Sequence, residues 1–382
     1  LSLTVKDVFE LNAPPALRAT KQALKAIEIP SRWPKLMFPK MIFGLEFEVE
    51  NIRDMLAGLS TVWQLKGDPS LRNHGMELTV CGSGDELLKA LVMFHRDLPS
   101  SAEFSERTST HVHVNVQNMT LSQVFSFALL GIVLEDFLYR FTLAERKRDV
   151  YCVPLKYTNL PSTLNWYRRK LLKHVPDDIY PSREKLTGLV SCWHKYLGIN
   201  LTRLRDIGTF EFRHLHGTRD IPMVIHWLNV IGKIKLYAMK HNLEEIEAEI
   251  QSLNTSSEYL PFLEKVFGHK LLKHFDLSDC DMLLSEGVIA AKLCTDLHNH
   301  GAEMKFFSGS SLVRAFGDVV LQNGEGRDYI VKRMGDVRLG INPLPAQDFV
   351  EYAQPPEPGR NYFDEEDPEN PEQDIDPEEG DV

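Results

Sequence analysis

The sequence predicts an α+β chain. Strands with one buried and one polar face are flanked by helices, and a mainly helical C-terminal region follows. Two observations predict this. First, "MIFGLEFEVE" at residues 41–50 alternates apolar and polar with a period of two, and three later segments do the same. Second, apolar residues return at helical spacing over residues 85–98, 121–141 and roughly 223–305.

Residues 1–40 read as a lead-in, with one short helical stretch between proline-rich turns. In the first strand Met41, Phe43, Leu45, Phe47 and Val49 fall on one side, and Ile42, Gly44, Glu46, Glu48 and Glu50 on the other. The segment "GMELTV" at residues 75–80 buries Met76, Leu78 and Val80 and displays Glu77 and Thr79. Next comes a helix over 85–98, with Leu87, Leu88, Leu91, Phe94 and Leu98 on one stripe. "HVHVNV" at 111–116 buries its three valines and turns His111, His113 and Asn115 the other way. A buried helix over 121–141 starts at Thr120, which caps it. Residues 145–190 are mixed and basic, and 195–218 give two strands and a connection, ending in "TFEFRH" with Glu211 and Arg213 opposite Phe210 and Phe212. Residues 306–350 have no clear pattern.

The formal net charge of −11 is unevenly spread: residues 351–382 hold 13 acidic residues and one arginine, so the other 350 residues sum to about +1. The 351–382 tail is rich in proline and acid, lacks the apolar residues a core needs, and reads as disordered. A near-neutral body gives no argument for nucleic-acid binding. Five scattered cysteines without a CxxC argue against a disulfide framework and a zinc knuckle, and fit a reducing, cytoplasmic setting. The longest apolar run, residues 124–134, is too short to span a bilayer, and no signal peptide is evident.

Glutamate is a poor strand former, and side chains two apart on one face lie only ~7 Å apart, so Glu46, Glu48 and Glu50 repel one another. Either that face is solvated, or a cation sits over it. If the four strands share a sheet, Glu46, Glu48, Glu77, Glu211 and His111 form an oxygen-rich cage with one imidazole. Such a mix suits Mg²⁺ or Mn²⁺ better than a structural Zn²⁺. Arg213 beside it suits a phosphate or carboxylate. A metal cage with an arginine, and no nucleophilic Ser or Cys motif, reads as phosphoryl transfer. Arg146 and Arg148 are candidates for binding phosphates or an anionic substrate, or else belong to a solvated basic loop. Asp68 and Asn200 either serve the site or hold a turn or strand.

In order, "GLEFEVE", "KGDPSLRNHGMELTV", "STHVHVNV", "ERKRDVYC" and "KYLGINLTRLRDIGTFEFRHLHGT" resemble the amidoligase family, among the glutamine synthetase-like carboxylate–amine ligases. The blocks cover about residues 41–219 with a gap at 154–189, and residues beyond are not covered. The family is frequent in bacteria and their viruses, so a viral gene, acting in the host cytoplasm, is one expectation. The resemblance implies a curved antiparallel sheet with a glutamine synthetase-like face that holds ATP and divalent ions. It makes 41–222 the catalytic core with a helical insertion; the helical spacing that follows makes 223–350 a mainly helical part of the same domain or a subdomain. It implies that a phosphoryl group passes from ATP to a carboxylate and that an amine then forms the amide. Glu46, Glu48, His111 and Glu211 match metal ligands. By the same resemblance Glu77 matches a further ligand that also faces the amine, His113 a histidine nearer the nucleotide, and Arg213 the arginine that stabilises the transferring phosphate or the substrate carboxylate. Expected partners are small-molecule or peptide carboxylates and amines, and partner ligases or amidotransferases. No nucleic acid and no membrane is expected, and the oligomeric state is left open.

The chain departs from the glutamine synthetase pattern at Thr209, where an arginine is usual. It has no Walker A loop, and Gly82–Gly84 reads as a plain turn. Two other readings stay open: a metal-dependent hydrolase or phosphatase on the same site, and an inactive scaffold.

Overall fold

Six antiparallel strands form one open sheet, in the order β2-β3-β1-β4-β6-β5. In chain order they are β1 (Phe43–Val49), β2 (Gln64–Gly67), β3 (Met76–Gly82), β4 (Ser109–Asn115), β5 (Ile199–Asn200) and β6 (Thr209–His216). The structure is a computed structural model that describes residues 3–14, 21–52, 57–142, 146, 149, 151–155, 164, 179–191, 193–273, 284, 287, 288, 290, 291 and 294. The 351–382 tail and most of 274–350 lie outside the described residues.

The described helices are α1 (Val5–Phe9), α2 (Lys21–Lys25), α3 (Gly84–Asp97), α4 (Leu121–Arg140), α5 (Ile179–Ser191), α6 (Leu204–Ile207), α7 (Ile221–Lys240), α8 (Leu243–Gln251), α9 (Ser256–Phe267) and α10 (His269–Leu272). The lead-in therefore holds two short helices where one was expected. It is also tied into the core: the Val5 N–H donates to the Met119 carbonyl at 3.0 Å, and Val5 and Val8 are buried. Helix α3 begins one residue before the expected start. Gly84 has φ +53, and a Cβ there would lie 2.9 Å from the Pro39 carbonyl oxygen, so this glycine serves a tight turn. Helix α4 starts at a reciprocal cap, in which Thr120 accepts from the Gln123 N–H and the Gln123 side chain accepts from the Thr120 N–H.

The strands place the core on one side of the sheet. In β1, Phe43, Leu45, Phe47 and Val49 are buried, and the residues between them are partly exposed. Phe47 packs on Phe94 of α3 at 4.2 Å between ring centroids and edge-on to Trp63 at 5.6 Å. Phe127 of α4 stacks on Phe210 of β6 at 4.8 Å. Helix α4 is long and apolar enough to cross a membrane by length and composition, a property the shorter run at 124–134 does not reveal. Here it buries 17 of its 20 residues against the sheet and α7.

The pairing register aligns side chains across the sheet, because directly opposed residues of an antiparallel pair share a face. Three rows result. One runs Lys66, Glu77, Glu48. The next runs Gln64, Thr79, Glu46, His111. The third runs Cys81, Gly44, His113, Glu211, Asn200. Between Thr110 and Val112 the β4–β6 register slips by one residue on β6. That bulge leaves Arg213 on the polar face with Glu211 and lets Leu215 follow His214 into the core.

Candidate active site

Glu46, Glu48 and His111 each offer a ligand atom within 4.8 Å of the others. His111 is buried. Its Nδ1 lies 2.9 Å from Glu46 Oε1 and its Nε2 lies 2.6 Å from Ser109 Oγ. Ser109 Oγ donates its single proton to Glu48 Oε2, and the Ser109 N–H donates to the same oxygen at 2.8 Å. The serine can therefore only accept from His111, and Glu46 can only accept as well. The network assigns a doubly protonated imidazolium. Burial and the nearby Arg213 oppose that charge, but Glu48 and Glu46 outweigh them and hold the His111 pKa above its ordinary value.

For Glu46, burial opposes ionisation, but His111 and His113 hold its carboxyl far below the usual range. Glu211 is buried and reaches within 3.5 Å of His111 Nδ1. It accepts from Arg213 Nη1, and from Asn200 Nδ2 at 2.7 Å. Burial opposes its charge too, yet Arg213, His113 and His111 lower its pKa. Arg213 also donates from Nε to the Tyr151 carbonyl at 3.1 Å. Glu77 faces Glu48 across β3 and β1, outside the close trio. Burial, with Glu46 nearby, raises its pKa.

His113 lies on the other side of Glu46, with Nε2 at 3.6 Å from Glu46 Oε2. Its Nδ1 is 3.1 Å from Thr209 Oγ1, so the threonine found in place of an arginine orients this imidazole. Next to it a cavity of about 300 Å³ opens, lined on its apolar walls by Ile42, Val62, Val80 and Ile207 and at its polar end by Glu46, His113 and Thr209. Gly44 keeps this space clear, since a Cβ there would lie 3.2 Å from the His113 Cβ.

Other expected residues fall elsewhere. Arg146 is buried: Nη1 pairs with Asp149 at 2.6 Å, Nη2 donates to the Arg213 carbonyl at 2.7 Å, and Nε donates to the His214 carbonyl at 3.4 Å. That makes it a brace for β6 at its bulge, which departs from the phosphate-binding part expected of it. Arg148 lies outside the described residues. Asp68 holds the turn before β3, accepting from the Ser70 N–H at 2.8 Å. Glu50, the third glutamate of the first strand, is buried and accepts from the Arg72 N–H at 2.8 Å, away from the trio. Ser109 was missed, and Thr209 was read only as a departure from the glutamine synthetase pattern, not as a partner of His113. Each sits two residues before a predicted site residue, so extending the same alternation backwards would have found both.

The fold and the site define a class: a mixed α/β protein with an open antiparallel sheet and a carboxylate–imidazole–arginine cluster on its polar face. Residues 84–234 match the family model described as "Putative amidoligase enzyme". The resemblance read from the sequence blocks thus holds over this segment, which carries His111, His113, Glu211 and Arg213; Glu46, Glu48 and Glu77 precede it. No curated protein matches the chain.

Proposed function

We propose that the chain is an ATP-dependent carboxylate–amine ligase that works through an acyl phosphate, on an amino acid, a peptide or a protein side chain. One observation carries this reading: Glu46, Glu48 and His111 converge, with Glu211 and Arg213 beside them, on a single sheet face. The donor set fits a hard divalent ion such as Mg²⁺ or Mn²⁺. Carboxylate oxygens dominate it, and an imidazolium now supplies the positive charge that a cation would bring. Glu46, Glu48, His111 and Glu211 would hold such ions, with Glu77 as a further acid. Bound ions would offset the negative charge of phosphates.

The chain's own residues do the rest. The apolar hollow beside His113 suits the base of a nucleotide, with the phosphates directed toward Glu46 and Arg213. Arg213 stabilises the phosphoryl group as it passes to the substrate carboxylate. Glu77, with its raised pKa, faces the amine that attacks the acyl phosphate, and its carboxylate takes up the proton the amine sheds. Phosphate leaves and the amide remains. A reducing, cytosolic setting fits this reading.

The test is stoichiometry. With Mg²⁺ and ATP, ADP release should require both a carboxylate and an amine, and mass spectrometry should find the condensed product. Glu48→Gln should abolish release. Phosphate released from a phosphoester without nucleotide or amine would make the protein a phosphatase and end the ligase reading.

A further inference from the structure

A second concave surface shares no residue with the cluster or with the hollow beside it. It is a groove of about 880 Å³ between the loop at residues 32–37, helix α7, and the junction of α9 and α10. Arg32, Lys35, Lys233 and Lys270 line it, and no lining residue is acidic. None of these four cations forms an ion pair among the described residues. This concentration is not a bulk property, because the chain carries −11 overall and residues 1–350 sum to about +1.

The groove is held in shape. Asn229 is buried and spends both ends of its amide on the loop, accepting from the Met37 N–H at 2.8 Å and donating to the Lys35 carbonyl at 3.0 Å. Phe38, next to that loop, lies so close to α7 that a Cβ on Gly232 would come within 2.4 Å of its ring. On the far side Gly268, at φ +77, turns the chain from α9 into α10. At the rim Met37 is 46% exposed, one of three large apolar side chains so exposed among the described residues.

We propose that this groove docks an acidic peptide segment of a partner protein, with one apolar side chain seated against Met37. Charge complementarity selects the acids, and a preformed groove lowers the ordering cost of binding. Nucleic acid suits it less. Trp33 and Phe267 are buried, so neither presents a ring face on which bases could stack. The proposal does not rest on the ligase reading.

Fluorescence polarisation with the full chain tests it, using a short labelled peptide rich in Glu and Asp with one Leu. Binding should weaken as salt rises. Lys233→Glu combined with Lys270→Glu should reduce affinity ~10-fold or more, and Met37→Ser several-fold, with unchanged circular dichroism. A lysine-rich peptide that binds equally well, a charge-reversed chain that binds as wild type, or a single-stranded oligonucleotide that binds more tightly would each overturn it. So would sedimentation showing that the reversal splits a dimer, since the groove would then be a contact between copies.

Discussion

Phe47 and its neighbour Glu48 point to opposite faces of β1, so their substitutions should separate stability from activity. Phe47 is fully buried between Phe94 and Trp63. Removing its ring in Phe47→Ala forfeits a transfer term of ~2 kcal/mol. The ring occupies ~100 Å³, and at about 24 cal/mol per Å³ an uncollapsed cavity adds up to ~2 kcal/mol. The lost edge-on and tilted ring contacts add ~0.5–1.5 kcal/mol. The expected loss is therefore ~3–5 kcal/mol, a large part of a typical domain's stability. Glu48→Gln removes no apolar contact. It keeps an oxygen that can accept from Ser109, so its stability should stay within ~1 kcal/mol of wild type while metal binding fails. Urea unfolding by fluorescence, with Mn²⁺ titration of each variant, reads both quantities. A loss below ~1.5 kcal/mol for Phe47→Ala would refute the face assignment of β1. Equal destabilisation by Glu48→Gln would refute it too.

Ser109→Ala removes the hydroxyl that ties Glu48 to His111 and should weaken Mn²⁺ binding ~10–100-fold without unfolding the chain, as calorimetry would report. Gly44→Val should fill the hollow and crowd His113; nucleotide affinity should fall ~10-fold or more while Mn²⁺ affinity stays, measured in parallel titrations. His214 gives a pH prediction. Burial, with the Arg146 guanidinium nearby, pushes its pKa down to about 3 from 6.5. The unfolded chain then takes up a proton below 6.5 that the folded chain refuses, so stability should fall toward acid across the window from 6.5 to about 3, by up to ~1.4 kcal/mol per pH unit. Urea midpoints at several pH values should show a shallower slope for His214→Gln than for wild type.

Local pattern alone determined much of this protein. The alternation in β1, β3, β4 and most of β6 tells which residues face the apolar core and which the polar side, because a strand's side chains switch faces at every step whatever its neighbours are. That the polar-face residues His111 and Glu211 are themselves buried is decided by the tertiary structure. The caps and stripes of α3 and α4 are likewise local, and so were legible to within a residue. The same alternation picked out the cage residues and Arg213, and the family resemblance added the roles it implies for them. What alternation cannot supply is register, since each strand pattern is compatible with several pairings and only packing selects one. Register put Glu46 opposite His111, and His113 between Gly44 and Glu211. The bulge in β6 belongs to the same class: it puts Leu215 in the core directly after His214, against a strict period of two, while His214, in phase with Phe210 and Phe212, meets Glu135 and Tyr139 of α4. The same reason explains Arg146, whose sequence neighbourhood reads as a basic loop, but whose charge the tertiary structure uses to hold the Arg213 and His214 carbonyls where the strand leaves its regular ladder.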